Sequence, residues 1–148
     1  MLTDRVIPTE LKDRIRILVV EDNLLGRKLA AFMLKNWGFH FDVCANGKLA
    51  IDQLKINKYD LILMDVQMPE MNGYEATRYI RKEMELGLPI IAMTSHASEE
   101  ERSRCLSSGM NDYLTKPIKE EELYNLTVNY LFTTVVQSQE NKMKNGEN

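Results

Sequence analysis

Leu61-Ile62-Leu63-Met64-Asp65-Val66-Gln67-Met68-Pro69-Glu70-Met71-Asn72-Gly73 passes from an unbroken apolar run through one carboxylate into a stretch rich in turn formers. A short continuous apolar run bounded by turn signals reads as a strand buried on both faces, the habit of parallel sheets. A carboxylate where such a strand ends is costly to bury and well placed for chemistry, because sites in open α/β sheets form beyond the carboxyl ends of the strands. Taken alone, Asp65 could equally start an Asx turn.

Working outward, four more apolar runs mark strands at Arg16–Val20, Phe39–Cys44, Ile90–Thr94 and Asp112–Thr115. Stretches of helical period separate them. Asn23 can cap a first helix whose apolar positions Leu25, Leu29, Phe32 and Met33 fall at i, i+4, i+7 and i+8, and Gly38 stands where it would stop. A second helix follows Asn46 with Ile51 and Leu54 on one side, and a third runs from about Gly73 to Met84. Ser98-Glu99-Glu100-Glu101 has the form of a capping box for the fourth, whose apolar stripe is thin: Ala97, Cys105 and Leu106. The fifth runs from about Lys119 to Phe132, with Leu123, Leu126 and Tyr130 on one face. Strict alternation of strand and helix predicts one parallel sheet covered on both faces with right-handed crossovers.

The 148 residues, 44% of them hydrophobic, suit a single domain with a real core. Residues 1–14 lack usable periodicity and read as a flexible or loosely packed extension, residues 15–132 as the folded domain, and residues 133–148 as a polar, disordered tail. Cys44 and Cys105 have neither CxxC spacing nor a His-rich neighbourhood, so they read as reduced core thiols. A net charge of −3 with scattered basic residues argues against nucleic acid as a direct partner. No window approaches the roughly 18 apolar residues of a membrane span, and the first residues have no signal-peptide pattern. The expected location is the cytoplasm.

Two other strand ends carry charge: Glu21-Asp22 closes the first apolar run and Lys116-Pro117 follows the last. If the first and third strands are neighbours, Glu21, Asp22 and Asp65 converge, and three carboxylates together repel unless a cation shields them. Hard oxygen ligands that leave room for water suit Mg²⁺. Lys116 adds a fixed positive charge, and Thr94, ending the fourth strand, adds a hydroxyl. These are parts for phosphoryl transfer: an acidic nucleophile, a shielding metal and donors for the equatorial oxygens.

Leu18-Val19-Val20-Glu21-Asp22-Asn23, Met64-Asp65-Val66-Gln67-Met68-Pro69-Glu70-Met71-Asn72-Gly73, Ala92-Met93-Thr94-Ser95 and Asp112-Tyr113-Leu114-Thr115-Lys116-Pro117 together resemble the receiver domain of two-component response regulators. The resemblance covers about Ile15 to Leu131, and the wording around Asp65 and Thr94 is most like receivers of hybrid sensor histidine kinases. It implies a flavodoxin-like, doubly wound, five-stranded parallel sheet of order 2-1-3-4-5 with five helices in a single domain. It implies that Asp65 is the phosphoacceptor, served by a histidine kinase or a histidine phosphotransfer protein in a phosphorelay. Asp22, Asp65 and the Gln67 backbone carbonyl would hold Mg²⁺, with Glu21 helping through water. Thr94 and Tyr113 match the switch residues, Lys116 the lysine that pairs with the phosphoryl group, and Pro117 a proline preceded by a cis peptide. Gln67 and His96 fall where receivers tune dephosphorylation. The face of the fourth helix, fifth strand and fifth helix would meet a downstream protein, and a dimer is left open.

Each residue also has a plainer role. Glu21-Asp22 could favour a helix start, Lys116 could be solvated, Thr94 a strand former, Tyr113 half-buried packing and His96 an exposed loop residue. His40 reads as structural or solvated, Trp37 as core margin, and the methionines as filler. Two rival functions differ in class. A phosphatase working through an aspartyl-phosphate would want a second acid two residues after Asp65, where Gln67 stands. A phosphorylation-independent binding module would not need Glu21, Asp22, Asp65, Thr94 and Lys116 all present. The receiver itself reads as a signalling module, not an enzyme of turnover, that promotes its own phosphorylation and slow autodephosphorylation.

Overall fold

The computed structural model describes residues 2–146. Its sheet holds β1 (Arg16–Val20), β2 (His40–Cys44), β3 (Leu61–Asp65), β4 (Ile90–Thr94) and β5 (Asp112–Thr115), in the order β2-β1-β3-β4-β5 with every pairing parallel. Crossover helices α1 (Leu24–Asn36), α2 (Gly47–Ile56), α3 (Gly73–Lys82) and α4 (Glu99–Ser108) join successive strands, and α5 (Glu120–Leu131) follows β5. The doubly wound topology and strand order agree with the sequence reading. A helical turn at Thr9–Lys12 precedes them, and a π-helical turn (Phe132–Val136) leads into α6 (Gln137–Lys144).

Every residue of β3 and β4 is buried. The period of two along each strand divides the core into two layers. Leu18, Val20, Ile62, Met64, Ile90 and Ala92 face the layer that holds Ala50, Leu54, Ala76, Ile80 and Cys105 of α2, α3 and α4. Ile17, Val19, Leu61, Leu63, Ile91 and Met93 face the layer that holds Ala30 and Leu34 of α1 and Leu123, Val128 and Leu131 of α5. Burying each of the Leu, Ile, Val and Met side chains contributes about 1.5–3 kcal/mol, which keeps the strand ends fixed relative to one another.

Three local expectations need correction. In α1 Ala30 and Leu34 are buried and Met33 of the expected stripe is half-buried in the same layer, whereas Leu25, Leu29 and Phe32 are 65%, 51% and 63% exposed, Leu25 and Leu29 beside the cleft described below. In α4 only Cys105 of the expected stripe is buried; Leu106 is 41% exposed and Ala97 is exposed too. Ser98 does cap α4, accepting from the Glu101 amide at 3.1 Å, but the reciprocal carboxylate bond of a capping box belongs to α3, where Asn72 and Glu75 bond each other's backbone amides. Glu101 is instead buried beside Cys105.

Both flanking segments carry order that their composition did not announce. Ile7 is 4% exposed within the α1/α5 layer, and Thr3 donates its amide to Asn125 Oδ1 at 2.8 Å. Residues 133–144 are helical, and Val136 is buried in that same layer. Of the two segments, Met1 and residues 147–148 lie outside the described residues. At the far end of α4, Arg81 donates to Gly109 O at 2.9 Å, to Leu86 O and Leu88 O at 2.8 Å each, and to Asn111 Oδ1 at 2.8 Å. Gly109, at φ 109°, is the left-handed stop of α4.

Candidate functional site

The parallel register puts the carboxyl ends of β1, β3, β4 and β5 on one edge. Val20 pairs with Met64, Asp65 with Met93, and Thr94 with Thr115. The amide of Glu21 still bonds Cys44 O at 3.0 Å and that of Lys116 bonds Thr94 O at 2.7 Å, so both residues leave the sheet with a fixed heading. Glu21, Asp65 and Thr94 are buried, at 3%, 2% and 1% exposure, while Asp22 is exposed. Glu21, Asp22, Asp65, Gln67, Lys116 and Pro117 line one cleft of about 440 Å³, walled on its apolar side by Leu25, Leu29, Met33, Ile118 and Leu123.

Lys116 Nζ lies 2.8 Å from Glu21 Oε1 and 3.1 Å from Asp65 Oδ1. The Lys116–Pro117 peptide is cis. The Gln67 amide donates to Asp65 Oδ1 at 3.3 Å. These contacts leave Glu21 Oε2 and Asp65 Oδ2 buried without a partner. Such atoms are expensive unless something else fills the gap. Carboxylate oxygens of Glu21, Asp22 and Asp65 come within 4.8 Å of one another, so one cation can reach all three. An all-oxygen donor set with one exposed member and orphaned acceptors fits a hard, partly hydrated ion such as Mg²⁺.

Charge crowding shows in the proton affinities. Burial, and then the adjacent Glu21 carboxylate, push the Asp65 carboxyl from 3.8 up to about 6. Asp22 is also raised, by burial first and then by Asp65. Burial works to lower Lys116, but the Glu21 and Asp65 carboxylates outweigh it and hold the ammonium above its ordinary range.

The rim carries the remaining sequence candidates. Thr94 Oγ1 accepts the His96 amide at 3.2 Å, and the side chains of Gln67 and His96 meet at 3.2 Å, Nε2 to Nε2. Tyr113 is half-buried against the α2/α3/α4 layer and lies beside Ala92 in the sheet. The structure thus brings Glu21, Asp22, Asp65, Gln67 and Lys116 into one cleft, links His96 to it through Gln67 and to Thr94 through its amide, and places Tyr113 two register positions behind Thr94.

Sequence reasoning missed two supports. Arg27 donates to Glu21 O at 2.9 Å and Asp22 O at 3.0 Å, pinning the backbone of the acidic pair from the first turn of α1. Gly73 meets the Asp65 backbone so closely that a β-carbon there would collide with Asp65 O, and its amide donates to Val66 O at 2.9 Å. A basic residue one helical turn past an acidic strand end, and a glycine closing the loop after Asp65, were the available signals.

Residues 17–127 match the family model described as the response regulator receiver domain. Hybrid signal transduction histidine kinase B of Dictyostelium discoideum is 42% identical over 120 residues, 73% of this chain and 6% of that protein. Signal transduction histidine-protein kinase BarA of Escherichia coli (strain K12) is 38% identical over 125 residues, 84% of this chain and 14% of that protein. The chain therefore spans only a small part of these curated relatives. Among solved structures, the receiver domain of sensor histidine kinase PA1611 from Pseudomonas aeruginosa PAO1, with a magnesium ion coordinated in its active-site cleft, superposes with a TM-score of 0.73 at 40% identity, covering 79% of this chain and 97% of that one. Chemotaxis protein CheY4 of Vibrio cholerae superposes at 0.75 with 26% identity, covering 79% and 98%. Four charged or hydroxyl-bearing strand ends on a sheet of this order, matched over most of the chain, place this protein in the response regulator receiver domain family of two-component signalling.

Proposed function

We propose that Asp65 accepts a phosphoryl group from a phosphohistidine of a histidine kinase or a histidine phosphotransfer protein. The observation that carries this reading is the Asp65 carboxylate itself, 2% exposed, held by Lys116 on one oxygen and without a partner on the other. A free Asp65 oxygen attacks phosphorus in line, the P–N bond to the donor imidazole breaks, and an acyl phosphate forms; a later water attacks that phosphorus and releases inorganic phosphate. Asp22, Asp65 and the Gln67 carbonyl would hold Mg²⁺, with Glu21 acting through water, and the ion would neutralise charge on the transferring oxygens. Lys116 stays charged throughout and pairs with a second phosphoryl oxygen. Thr94 donates a hydrogen bond from its hydroxyl to a third when it turns inward.

That turn would weaken the bond from the His96 amide to Thr94 Oγ1, shifting the β4–α4 loop and, with Tyr113, the face of α4, β5 and α5 that a downstream protein reads. An α4 with little buried apolar surface suits such a shift. Gln67 and His96, in contact over the cleft, would set water access and so the lifetime of the acyl phosphate. On the other side, exposed Leu25 and Leu29 border the cleft that holds Asp65, and Phe32 is exposed on the same helix, so the donor domain that brings its histidine to Asp65 rests on them. Mg²⁺ and a cytosolic donor are part of this reading, and slow autodephosphorylation is its only turnover.

Beryllofluoride with Mg²⁺ tests it. The protein should bind one acyl-phosphate mimic, and Asp65→Asn should bind none. Asp22→Ala should lose Mg²⁺ affinity while keeping its circular dichroism, since Asp22 is exposed. Equal beryllofluoride binding by Asp65→Asn would remove Asp65 as acceptor, and hydrolysis of phosphate monoesters well above that variant would favour the phosphatase.

A further inference from the structure

Gly26 stands in the first turn of α1, its amide donating to the capping Asn23 Oδ1 at 3.0 Å. A helix interior disfavours glycine relative to alanine, so a glycine here calls for a packing reason. The reason lies above it. A β-carbon at Gly26 would collide with Glu21 Oε1 and stand 2.9 Å from both Glu21 Cγ and Cδ. Oε1 is the same atom that Lys116 Nζ holds at 2.8 Å.

Glu21 is held in this position by the Lys116 ion pair and is 3% exposed, while Arg27 clamps the carbonyls of Glu21 and Asp22, so making room for a Gly26 side chain falls on the Glu21 side chain rather than on the backbone. Glutamate also reaches one methylene further than aspartate. The extra length needs a space, and the bare Cα of Gly26 supplies it.

We infer that Gly26 is a positioning residue: its missing side chain is the seat of the Glu21 carboxylate, and through that seat it divides Lys116 between Glu21 and Asp65. A side chain at this position would drive Glu21 off Lys116, leave Lys116 to Asp65 alone and withdraw one carboxylate from the cation-binding cluster. This rests on the reading of Glu21, Asp22 and Asp65 as a Mg²⁺ site.

The test is a double-mutant cycle read by Mg²⁺ affinity in solution, with wild type, Gly26→Ala, Glu21→Asp and Glu21→Asp/Gly26→Ala. Gly26→Ala should weaken Mg²⁺ binding about tenfold, as losing an outer partner of a metal site does. The shorter aspartate clears the added methyl, so the double variant should bind like Glu21→Asp alone, within about twofold. A loss that persists undiminished in the double variant, or Gly26→Ala binding like wild type, overturns the proposal. If Gly26→Ala does not fold, the double variant decides: folded with the affinity of Glu21→Asp supports the seat, and unfolded overturns it. Wild-type protein blind to Mg²⁺ would defeat the metal reading instead. The crystal structure of metal-free Gly26→Ala then judges the seat: Glu21 displaced from Lys116 supports it, and Glu21 unmoved overturns it.

Discussion

Asp65→Asn is expected to stabilise the metal-free protein at neutral pH and to flatten its pH dependence. The Asp65 carboxyl is 2% exposed, and burial together with Glu21 raises it from 3.8 to about 6. Ionising it in the folded chain is therefore harder than in the unfolded chain by about two pH units, or roughly 3 kcal/mol. Between those two values the folded protein keeps a proton that the unfolded chain has released. Stability thus falls as pH rises from about 4 to about 6, then levels off with the full cost in place. Asparagine preserves the shape and an acceptor for Lys116 but carries no charge; the lost attraction to Lys116 offsets part of the gain. The net change should be about 1–2 kcal/mol, or about 5 °C in the melting midpoint for a chain of this size. Urea denaturation with a chelator present, at about pH 5 and about pH 7.5, measures it. Wild type should lose stability between the two conditions and the variant far less. A variant no more stable than wild type at the higher pH, or the same pH trend in both proteins, would refute the claim that a buried, crowded Asp65 carries this cost.

The converse change, Lys116→Met, leaves Glu21 and Asp65 buried without their cation and should cost about 3 kcal/mol at neutral pH, with less loss at about pH 5, where Asp65 takes up a proton. An equal loss at both pH values would show that packing, not charge, is what Lys116 supplies. Phe32→Asp, on the 63% exposed side chain of α1, should slow phosphotransfer from a histidine-bearing donor at least about tenfold by breaking an apolar contact, while the rate with a small phosphodonor stays the same. Slowing of both rates would mean that the substitution disturbs the site rather than the docking surface.

The strands and their parallel sense were legible from apolar runs alternating with helical stretches, and the convergence at Asp65 followed once the family resemblance placed the first and third strands side by side. The α1 stripe misled for a physical reason. Leu25, Leu29 and Phe32 have helical spacing, but spacing identifies a face and not what covers it, and here Ala30 and Leu34, with Met33 half-buried beside them, form the face of α1 that meets the sheet. Beyond α5, Val136 is buried and Phe132 and Val135 are half-buried in the α1/α5 layer, packing that composition alone does not announce.

The sequence by itself determined the sheet, its parallel sense, the acidic and basic strand ends and the family they belong to, because these are written in local chemistry at fixed spacing. Only the tertiary structure decided which oxygen Lys116 holds, which oxygens are left without partners, that Gln67 touches His96 across 29 residues of chain, and that a glycine in α1 makes room for Glu21. Those are matters of distances between side chains on separate elements. Asp65 becomes a nucleophile candidate through its sequence neighbours, but its proton affinity comes from burial and from carboxylates that only folding brings beside it.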